Sequence, residues 1–415
     1  MKIPRNGIEY FVLGASAFVL SGAVLGMFLP SQGLEEGNPA FKFILATLYL
    51  AVGIIAFGRT QLRQVARNPA LLALLILTCL SALWATTPGL SLQRSLAVIG
   101  ASLVGIVLVT RFTMEEQLRL LSWVFRLGAV SSAICIIVAP GLAFADGAAQ
   151  GVFNHKNVMG DIMALAILVE YFLPAAGMAA KIGKGMWLGA YLVLLILSKS
   201  ATSLIAVLFA LLIIRAYRVL RVRVSVPLAL LIPATVLAIS FAVVIFVGGE
   251  SLMRMLGRSS DLTGRTELWG IVVTMILKRP LLGYGYSSFW GGAAPESSIV
   301  ESEIGWTPVY SHSGYLETLL SLGLVGFVLL LIVLATGFRR ALRAAENGQA
   351  AYDLWPLAFL IFFVIHNLGE CTVLWQNSLE WALCVGVIIG SEQRARETAV
   401  APAYEMESFG SHEYV

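Results

Sequence analysis

Charged residues are scarce in this chain. Asp, Glu, Lys and Arg make up 13% of its 415 residues, whereas soluble domains hold about 25%. Hydrophobic residues reach 58% and the mean hydropathy is +0.85, against roughly 45–50% apolar residues in a soluble domain. This composition excludes an ordinary soluble globular protein. It predicts an all-α polytopic membrane protein, because helices satisfy their own backbone hydrogen bonds in lipid.

Cysteines and metal-binding patterns are also rare. The four cysteines lie in or beside apolar runs without CxxC spacing, so neither a disulfide framework nor a cysteine metal site is expected. The acidic residues of the polar segments are scattered and form no DxD pair. The sequence therefore predicts no metal and no cofactor. The net charge of +4 is modest and spread among loops, so no nucleic-acid partner is predicted.

Long apolar runs dominate what is present. Runs near 20 apolar residues predict spanning helices, and shorter runs can span when neighbours bury them. About twelve occur, at roughly 10–30, 39–57, 69–85, 95–110, 120–140, 158–178, 185–198, 201–217, 226–248, 312–337, 354–370 and 372–390. Lys2 and Arg5 precede a first run long enough to span, so no cleavable signal peptide is expected. With the N-terminus inside, basic residues favour the inner side, which predicts cytoplasmic termini.

The runs divide the chain into four parts. Residues 1–248 hold nine predicted spans, 249–311 form a large outer loop, 312–390 hold the last three spans, and 391–415 form a predicted disordered cytoplasmic tail. Within the loop, Trp269, Val272, Val273 and Ile276 recur at helical spacing. They predict an interfacial helix over 266–278 that lies flat on the outer leaflet.

Four polar regions fall on the outer side in this topology and are expected to meet in one cavity. One is the long loop, with Arg258, Arg265 and the tyrosines of a Gly-Tyr-Gly-Tyr turn. The second is a turn entering the sixth span, the third a hairpin between two spans, and the fourth the outer end of the eleventh span. Their candidate site residues are His155, Lys156, Asn157, Lys199, Arg258, Arg265, Tyr284, Tyr286, His312 and Glu370.

Arginine suits phosphate oxygens because its planar fork donates two parallel hydrogen bonds and keeps its charge. Arg265 and Arg258 are therefore candidates for binding a phosphate group. The alternative for the loop cations is contact with lipid headgroups, which we favour for Lys278 and Arg279. Because no metal pattern accompanies these cations, the expected ligand is a lipid that carries its own negative charge, such as a diphosphate.

His312 begins an apolar run at the predicted membrane boundary. An imidazole can take a proton from an attacking hydroxyl near neutral pH, although a capping or packing histidine is an equal alternative. Lys199, in a short hairpin between apolar runs, would hold its charge near bilayer depth, where charges are rare and usually face a cavity. The same argument applies more weakly to Glu370 and His366, which lie closer to the interface, whereas His155 and Lys156 also fit an ordinary polar loop.

These residues resemble the O-antigen ligase and Wzy polymerase superfamily. His312-Ser313, nine residues, then Gly323-Leu-Val-Gly326 is similar to its signature, and Gly264 to Trp269 with Pro280-Leu-Leu-Gly-Tyr-Gly285 resembles its long periplasmic loop. Gly151-Val-Phe-Asn-His-Lys-Asn157 is similar to a turn of its ExoQ-like exopolysaccharide-production branch. In the position of a hairpin arginine of the family, this chain has Ala201, with Lys199 two positions earlier.

The resemblance implies a metal-independent, GT-C-like glycosyltransferase of the bacterial inner membrane with its active site on the periplasmic side. Arg265 would bind the diphosphate of an undecaprenyl-diphosphate-linked glycan, with Arg258 and Lys199 as further diphosphate candidates. His312 would activate the acceptor hydroxyl or orient the donor. The expected partners are this lipid-linked glycan, a glycan or lipid acceptor, membrane lipids and other polysaccharide assembly or export proteins.

The resemblance leaves the acceptor open. A polymerase would join lipid-linked repeat units in exopolysaccharide or capsule synthesis, which we favour from the ExoQ-like turn and the Lys199 hairpin. An O-antigen ligase would transfer the glycan to lipid A–core or another acceptor. A different class of protein, a transporter or flippase for lipid-linked glycans, would show inverted repeats, and the sequence has no convincing repeat. A structural subunit of an export complex would not need Arg265 or His312.

Overall fold

A computed structural model describes residues 7–23, 38–56, 64–221, 261–290, 294–348 and 350–391, with isolated positions at 223, 225, 228, 231, 234 and 235. Helices make up most of these ranges. The first half contains α1 (Gly7–Leu20), α2 (Pro39–Ala56), α3 (Pro69–Leu80), α4 (Pro88–Arg111), α5 (Met114–Val138), α6 (Pro140–Ala143) and α7 (Lys156–Phe172). The second half contains α8 (Gly177–Leu197), α9 (Ala201–Leu220), α10 (Asp261–Lys278), α11 (Pro295–Ile304), α12 (Gly314–Asn347), α13 (Trp355–His366) and α14 (Leu379–Ser391).

Six helices in the described ranges are long and apolar enough to cross a membrane: α2, α4, α5, α8, α9 and α12. Four shorter apolar helices accompany them, at Gly7–Leu20, Pro69–Leu83, Ala351–His366 and Leu379–Ser391. This agrees with a polytopic membrane protein. The number of about twelve spans and the outer position of the loop stay predictions. The predicted span at 226–248 and the tail after 391 lie outside the contiguous described residues.

Helix α7 is the centre of the bundle. Most of its residues are apolar or small, a pattern typical of a buried helix, and 14 of its 17 residues are buried, among them the polar Asn157, Asp161 and Glu170. It packs against α5, α8, α9 and α13. Ahead of it lies a two-stranded hairpin, β1 (Phe144–Ala145) and β2 (Ala148–Ala149), closed by Asp146 and Gly147 with φ of 50° and 68°. An Asp-Gly pair with positive φ is the usual sequence of such a tight turn.

Close helix contacts occur where side chains are small. A Cβ added to Gly105 of α4 would lie 1.9 Å from the carbonyl oxygen of Ala382 in α14, and one added to Gly386 would lie 3.0 Å from the Gly105 carbonyl oxygen. In lipid, where burial of apolar surface does not distinguish partners, such close backbone approach drives helix association. Nearby, the Trp381 indole donates to the Ser102 hydroxyl at 2.9 Å.

The helix predicted at 266–278 is present as α10, but its buried face differs from the predicted stripe. Leu268, Val272, Met275 and Ile276 are buried in a second core formed with α11, α12 and the loop between them. Val273 is 43% exposed. The buried positions follow the helix period and face protein. A helix at Pro295–Ile304, within the large outer loop predicted over 249–311, completes this core.

Helix α12 is broken at Gly323, whose φ of 62° and ψ of −163° are non-helical. The loop from Pro280 to Gly285 lies in the break. Tyr284 and Gly285 donate their N–H groups to the carbonyl oxygens of Leu320 and Ser321 at 2.9 and 3.0 Å. In return, Leu324 and Val325 donate to the carbonyl oxygens of Pro280 and Leu281 at 2.8 and 3.2 Å. The broken helix is tolerated because the loop satisfies the freed backbone groups.

Glycine is required at both sides of this junction. A Cβ on Gly323 would lie 2.3 Å from the Leu281 carbonyl carbon, and one on Gly283 would lie 2.5 Å from the Leu320 carbonyl oxygen. Both residues also have positive φ, which a side chain disfavours. The Gly323-Leu-Val-Gly326 and Pro280-to-Gly285 motifs, separate in the sequence, are therefore two halves of one structural junction.

Candidate active site

The candidate site is centred on Arg265, in the first half of α10. Its Nη1 donates to the carbonyl oxygen of Gly369 at 2.7 Å, and its Nη2 donates to Oε1 of Glu370 at 3.1 Å. The Arg265 side chain is 23% exposed, whereas the Glu370 side chain is 4% exposed. The arginine therefore reaches from the edge of the site towards a carboxylate buried behind it. This places together two residues that the sequence had proposed separately.

Glu370 connects four segments of the chain. Its Oε1 also accepts from the Asn157 side-chain amide at 2.7 Å, and its carbonyl oxygen accepts from the N–H of Gly314, the first residue of α12, at 2.9 Å. Burial, and next the nearby Asp161 carboxylate, raise the pKa of Glu370 to about 7, while Arg265 acts in the opposite direction. The carboxyl group is thus poised to change charge near neutral pH.

A second buried pair lies beside Glu370. His366 at the end of α13 places Nε2 2.7 Å from Oδ1 of Asp161 in α7, and both side chains are almost fully buried. The Ser203 hydroxyl donates to the same carboxylate oxygen, and Ser200 lies 2.6 Å from Ser203. Asp161 was not among the residues predicted from the sequence to form the site, and His366 had only the weaker argument from bilayer depth. Their spacing in the sequence could have identified them. Asp161 follows Asn157 by four residues and His366 precedes Glu370 by four, the spacing that places side chains on one face of a helix.

The turn after α13 fixes the start of α12. Asn367 is fully buried, and its side-chain oxygen accepts from the N–H groups of Thr372 and Val373, both at 2.9 Å. The N–H of Gly314 donates to the Asn367 carbonyl oxygen at 3.0 Å. A Cβ on Gly314 would lie 2.3 Å from the Asn367 side-chain oxygen. The segment that contains His312 is therefore held against the segment that contains Glu370.

His312 lies two residues before α12, half-buried and with a φ of 53°. Its ring centroid is 4.3 Å from that of Tyr310 and 6.0 Å from that of Trp306, and Tyr310 lies 5.3 Å from Trp375. The Trp269 indole of α10 donates to the Ser311 carbonyl oxygen at 2.9 Å. His312 is thus part of a row of aromatic rings, and α10 fixes both Arg265 and the backbone next to His312.

A small cavity adjoins this aromatic row. It is lined by Tyr286, Glu317, Trp375, Gln376 and neighbouring residues of α12 and the 371–376 segment. The Tyr286 hydroxyl donates to the Leu374 carbonyl oxygen, and Glu317 accepts from the Trp290 indole at 3.0 Å and from the N–H of Ser311 at 2.9 Å. The cavity is about 20 Å³, which is room for about one water molecule. At its edge the partly exposed Trp375 and Gln376 present an aromatic ring and an amide to the surface.

Two predicted site residues have structural positions instead. Tyr284 is fully buried in the second core, where its hydroxyl donates to the Met275 carbonyl oxygen at 3.1 Å and the Arg279 guanidinium lies 4.5 Å from its ring centre. The structure thus gives Tyr284 a packing position, and its contact with the glycan, as proposed from the sequence, stays a prediction. His155 is the N-cap of α7, and its Nδ1 accepts from the Asn157 N–H at 3.2 Å. Burial, and next Lys156, lower the pKa of His155.

The two remaining diphosphate candidates are placed differently. Lys199 is exposed, with a φ of 55°, and its Nζ lies 3.6 Å from the position of a Cβ on Gly147, in the β1–β2 turn. The hairpin that carries it contacts the buried cluster through the Ser203 hydroxyl. Arg258 lies outside the described residues. Lys156, half-buried, begins α7.

The fold and site define a class: a helical, polytopic membrane protein with a buried ionic cluster where an arginine meets several helix ends. Comparisons with known proteins show which proteins the chain resembles. A family model described as "O-Antigen ligase" matches residues 185–331, which include Arg265 and His312. The chain is also 28% identical over 359 residues to the "Exopolysaccharide production protein ExoQ" of Rhizobium meliloti (strain 1021), covering 78% of this chain and 79% of that protein. The resemblance predicted from the sequence is confirmed.

Proposed function

We propose that this protein is a glycosyltransferase of the bacterial inner membrane that joins glycan repeat units carried on undecaprenyl diphosphate. The similarity to ExoQ, whose name describes exopolysaccharide production, supports a role in polysaccharide biosynthesis. The predicted topology would put the site on the periplasmic side, within the long loop that follows residue 248.

One observation carries the proposal: Arg265 and Asn157 both donate to the Glu370 carboxylate, beside the segment of His312. The diphosphate of the donor is the leaving group, so negative charge grows on its oxygens as the glycosidic bond breaks. A fixed guanidinium stabilises that charge more in the transition state than in the ground state. The diphosphate would replace Glu370 as the acceptor of the hydrogen bond from Nη2 of Arg265, whose position the Gly369 carbonyl also fixes.

The remaining step is attack by the acceptor hydroxyl on the anomeric carbon of the donor. His312 takes the hydroxyl proton, the oxygen forms the new bond to the anomeric carbon, and the bond to the diphosphate breaks with its electron pair leaving on the phosphate oxygen. Attack from the face opposite the diphosphate would invert the anomeric centre. The ring row beside His312 supports this role, since Tyr310 and Trp306 limit the orientations of the imidazole.

We assign a sugar ring to the surface at the edge of the cavity between Tyr286 and Glu317, where Trp375 and Gln376 are partly exposed. Sugars present apolar C–H faces that pack on aromatic rings and hydroxyl groups that bond to carboxylate and amide side chains. Trp375 offers the first surface and Gln376 the second. This assignment replaces the sequence-based assignment of Tyr284 while retaining Tyr286.

A ligase is the second candidate, because the matching family model is described as "O-Antigen ligase". The donor chemistry would be the same, and only the acceptor would differ, being lipid A–core or another lipid in place of a second repeat unit.

The test uses purified protein in nanodiscs with an undecaprenyl-diphosphate-linked repeat unit. Glycan length on the lipid is followed for wild type, Arg265→Ala and His312→Ala. Longer lipid-linked chains with wild type alone would support a polymerase and both residue roles. Transfer that requires added lipid A–core would identify a ligase. Absence of transfer to any acceptor, with both variants fully functional in cells, would overturn the enzyme proposal in favour of a transporter or structural subunit.

A further inference from the structure

A second buried ionic group lies near the other end of α7. Glu170 is 1% exposed at its side chain and pairs with Nη2 of Arg126, on α5, at 2.8 Å. The Ser122 hydroxyl donates to its other oxygen at 2.9 Å. Glu170 follows Asn157 by thirteen residues, which corresponds to about 20 Å along a helix that rises about 1.5 Å per residue. This group therefore belongs to the opposite end of the bundle from the candidate active site.

Two cations at this end are held in place by their neighbours. The Arg126 guanidinium lies 5.1 Å from the ring centre of Trp187 and 5.7 Å from that of Trp123. The Lys184 Nζ donates to the carbonyl oxygens of Tyr171 and Leu173 at 2.7 and 2.9 Å. An ammonium has three donors and a guanidinium five, so these contacts leave each group with donors for a ligand.

The two cations line a cavity of about 250 Å³. Its other walls come from Glu170, from Leu173, Pro174 and Ala175 after α7, and from Ala180, Gly183 and Trp187 of α8. The cavity is open on the side of α8 at Gly183, where an added Cβ would meet nothing within 4 Å. Arg126, Lys184 and Glu170 together give the lining a net charge of +1, counted from their ordinary ionised forms.

The outer surface of α8 beside this opening is apolar and exposed. Ile182 is 57% exposed, Met186 71% and Val193 56%. In a helix that is long and apolar enough to cross a membrane, such a surface faces acyl chains. A cavity with cationic donors at its base and an apolar, lipid-facing edge matches a molecule that has a phosphate head and hydrocarbon tails.

From this arrangement we propose that the cavity between α5, α7 and α8 binds the headgroup phosphate of an anionic membrane phospholipid, with Arg126 and Lys184 as its donors. Basic pockets between membrane helices are known to take anionic lipid headgroups in this way. The acyl chains lie along α8 beside Ile182 and Met186. The bound lipid joins α5 to α8 at the end of the bundle where the ionic pair of α7 is buried.

The experiment titrates delipidated protein in detergent with dioleoyl phosphatidylglycerol or dioleoyl phosphatidylcholine and counts bound lipids by native mass spectrometry. Wild type is expected to bind one phosphatidylglycerol more tightly than phosphatidylcholine. Lys184→Met should weaken the phosphatidylglycerol binding about fivefold, the effect of removing one basic contact worth about 1 kcal/mol. Lys181→Met is the matched control, because Lys181 is on the same helix, exposed and outside the cavity lining.

Equal binding of the two lipids, or equal weakening by Lys181→Met and Lys184→Met, would overturn the proposal. Displacement of phosphatidylglycerol by millimolar inorganic phosphate would assign the cavity to a free anion instead of a lipid. If Lys184→Met does not fold, the charge-balanced pair Arg126→Gln with Glu170→Gln removes the guanidinium without leaving a buried charge unpaired. That variant should also lose the preference for phosphatidylglycerol, and a retained preference would contradict the assignment.

Discussion

Arg265 and Glu370, 105 positions apart in the chain, are joined by a hydrogen bond of 3.1 Å from Nη2 to Oε1. The second arm of the guanidinium donates to the Gly369 carbonyl oxygen, so the fork binds one carboxylate and its preceding peptide. A diphosphate offers oxygens of the same kind with more charge. The hydrogen bonds to Glu370 and Gly369 therefore hold the guanidinium with both arms in place before a diphosphate binds. The Glu370 carboxylate would then compete with the diphosphate for Arg265.

The first prediction concerns the shape of the Arg265 side chain. Arg265→Lys keeps the charge but loses the planar fork, so transfer of the glycan should fall about 10²-fold, as when one oriented transition-state donor is lost. The matched control is Arg279→Lys in the same loop segment, where Arg279 is 45% exposed at its side chain and pairs with Glu296 at 3.7 Å. Initial rates with the lipid-linked repeat unit provide the measurement. Equal losses in the two variants would contradict a specific role.

The second prediction concerns pH. Glu370 has a pKa raised to about 7, so it is mostly protonated below that pH and mostly ionised above it. Its negative charge competes with a diphosphate for Arg265. The affinity for undecaprenyl diphosphate should therefore increase several-fold as the pH is lowered through about 7, over a window of roughly one unit on either side.

Glu370→Gln tests this dependence, because it removes the titration and keeps an oxygen that can accept from Arg265 and Asn157. The difference between wild type and this variant isolates Glu370 from histidines that titrate in the same range. Glu303→Gln, at an exposed position of α11, is the control and should behave as wild type. If binding isotherms of Glu370→Gln keep the wild-type pH profile, Glu370 does not control the arginine.

The third prediction separates the sugar from the diphosphate. Trp375→Ala removes an aromatic face from the cavity beside Tyr310, and a loss of about 1.4 kcal/mol of contact would raise KM for the lipid-linked repeat unit about tenfold. Binding of undecaprenyl diphosphate without sugar should stay unchanged. Trp375→Phe should restore much of the affinity, because it keeps an aromatic face. A variant that loses both ligands equally would show that Trp375 supports the fold and not the glycan.

The fourth prediction concerns the break in α12. Gly323→Ala places a Cβ 2.3 Å from the Leu281 carbonyl carbon at a φ of 62°. The backbone strain alone is worth about 1–3 kcal/mol, so the melting temperature of the purified protein should fall by several degrees. Gly270→Ala in α10 is the control, since a Cβ there meets nothing within 4 Å and alanine favours the helix. A Gly323→Ala protein as stable as wild type would show that the junction relaxes.

The sequence by itself determined the class of protein and most of its helices. Scarcity of charge and apolar runs near the length of a bilayer leave few alternatives to spanning helices. The observed helices α2 to α5 and α7 to α9 overlap the predicted runs, although α4, α5 and α8 begin six to eight residues earlier. The sequence also identified Arg265, Asn157 and Glu370, because polar groups within an apolar chain need a partner or a function. Other helix boundaries differ where turns interrupt the runs, as at 371–378 before α14.

Only the tertiary structure decided which of these groups meet. Glu370 is the partner of Arg265, Asp161 pairs with His366, and Tyr284 lies in a core and not in the site. These outcomes depend on where backbones approach closely, as Gly314 approaches Asn367 and Gly323 approaches Leu281. Hydrophobic periodicity indicates which residues suit lipid or a protein interior, but it does not select one helix over another, since all are similarly apolar. Small residues and buried hydrogen bonds make that selection, and their geometry exists only in the folded chain.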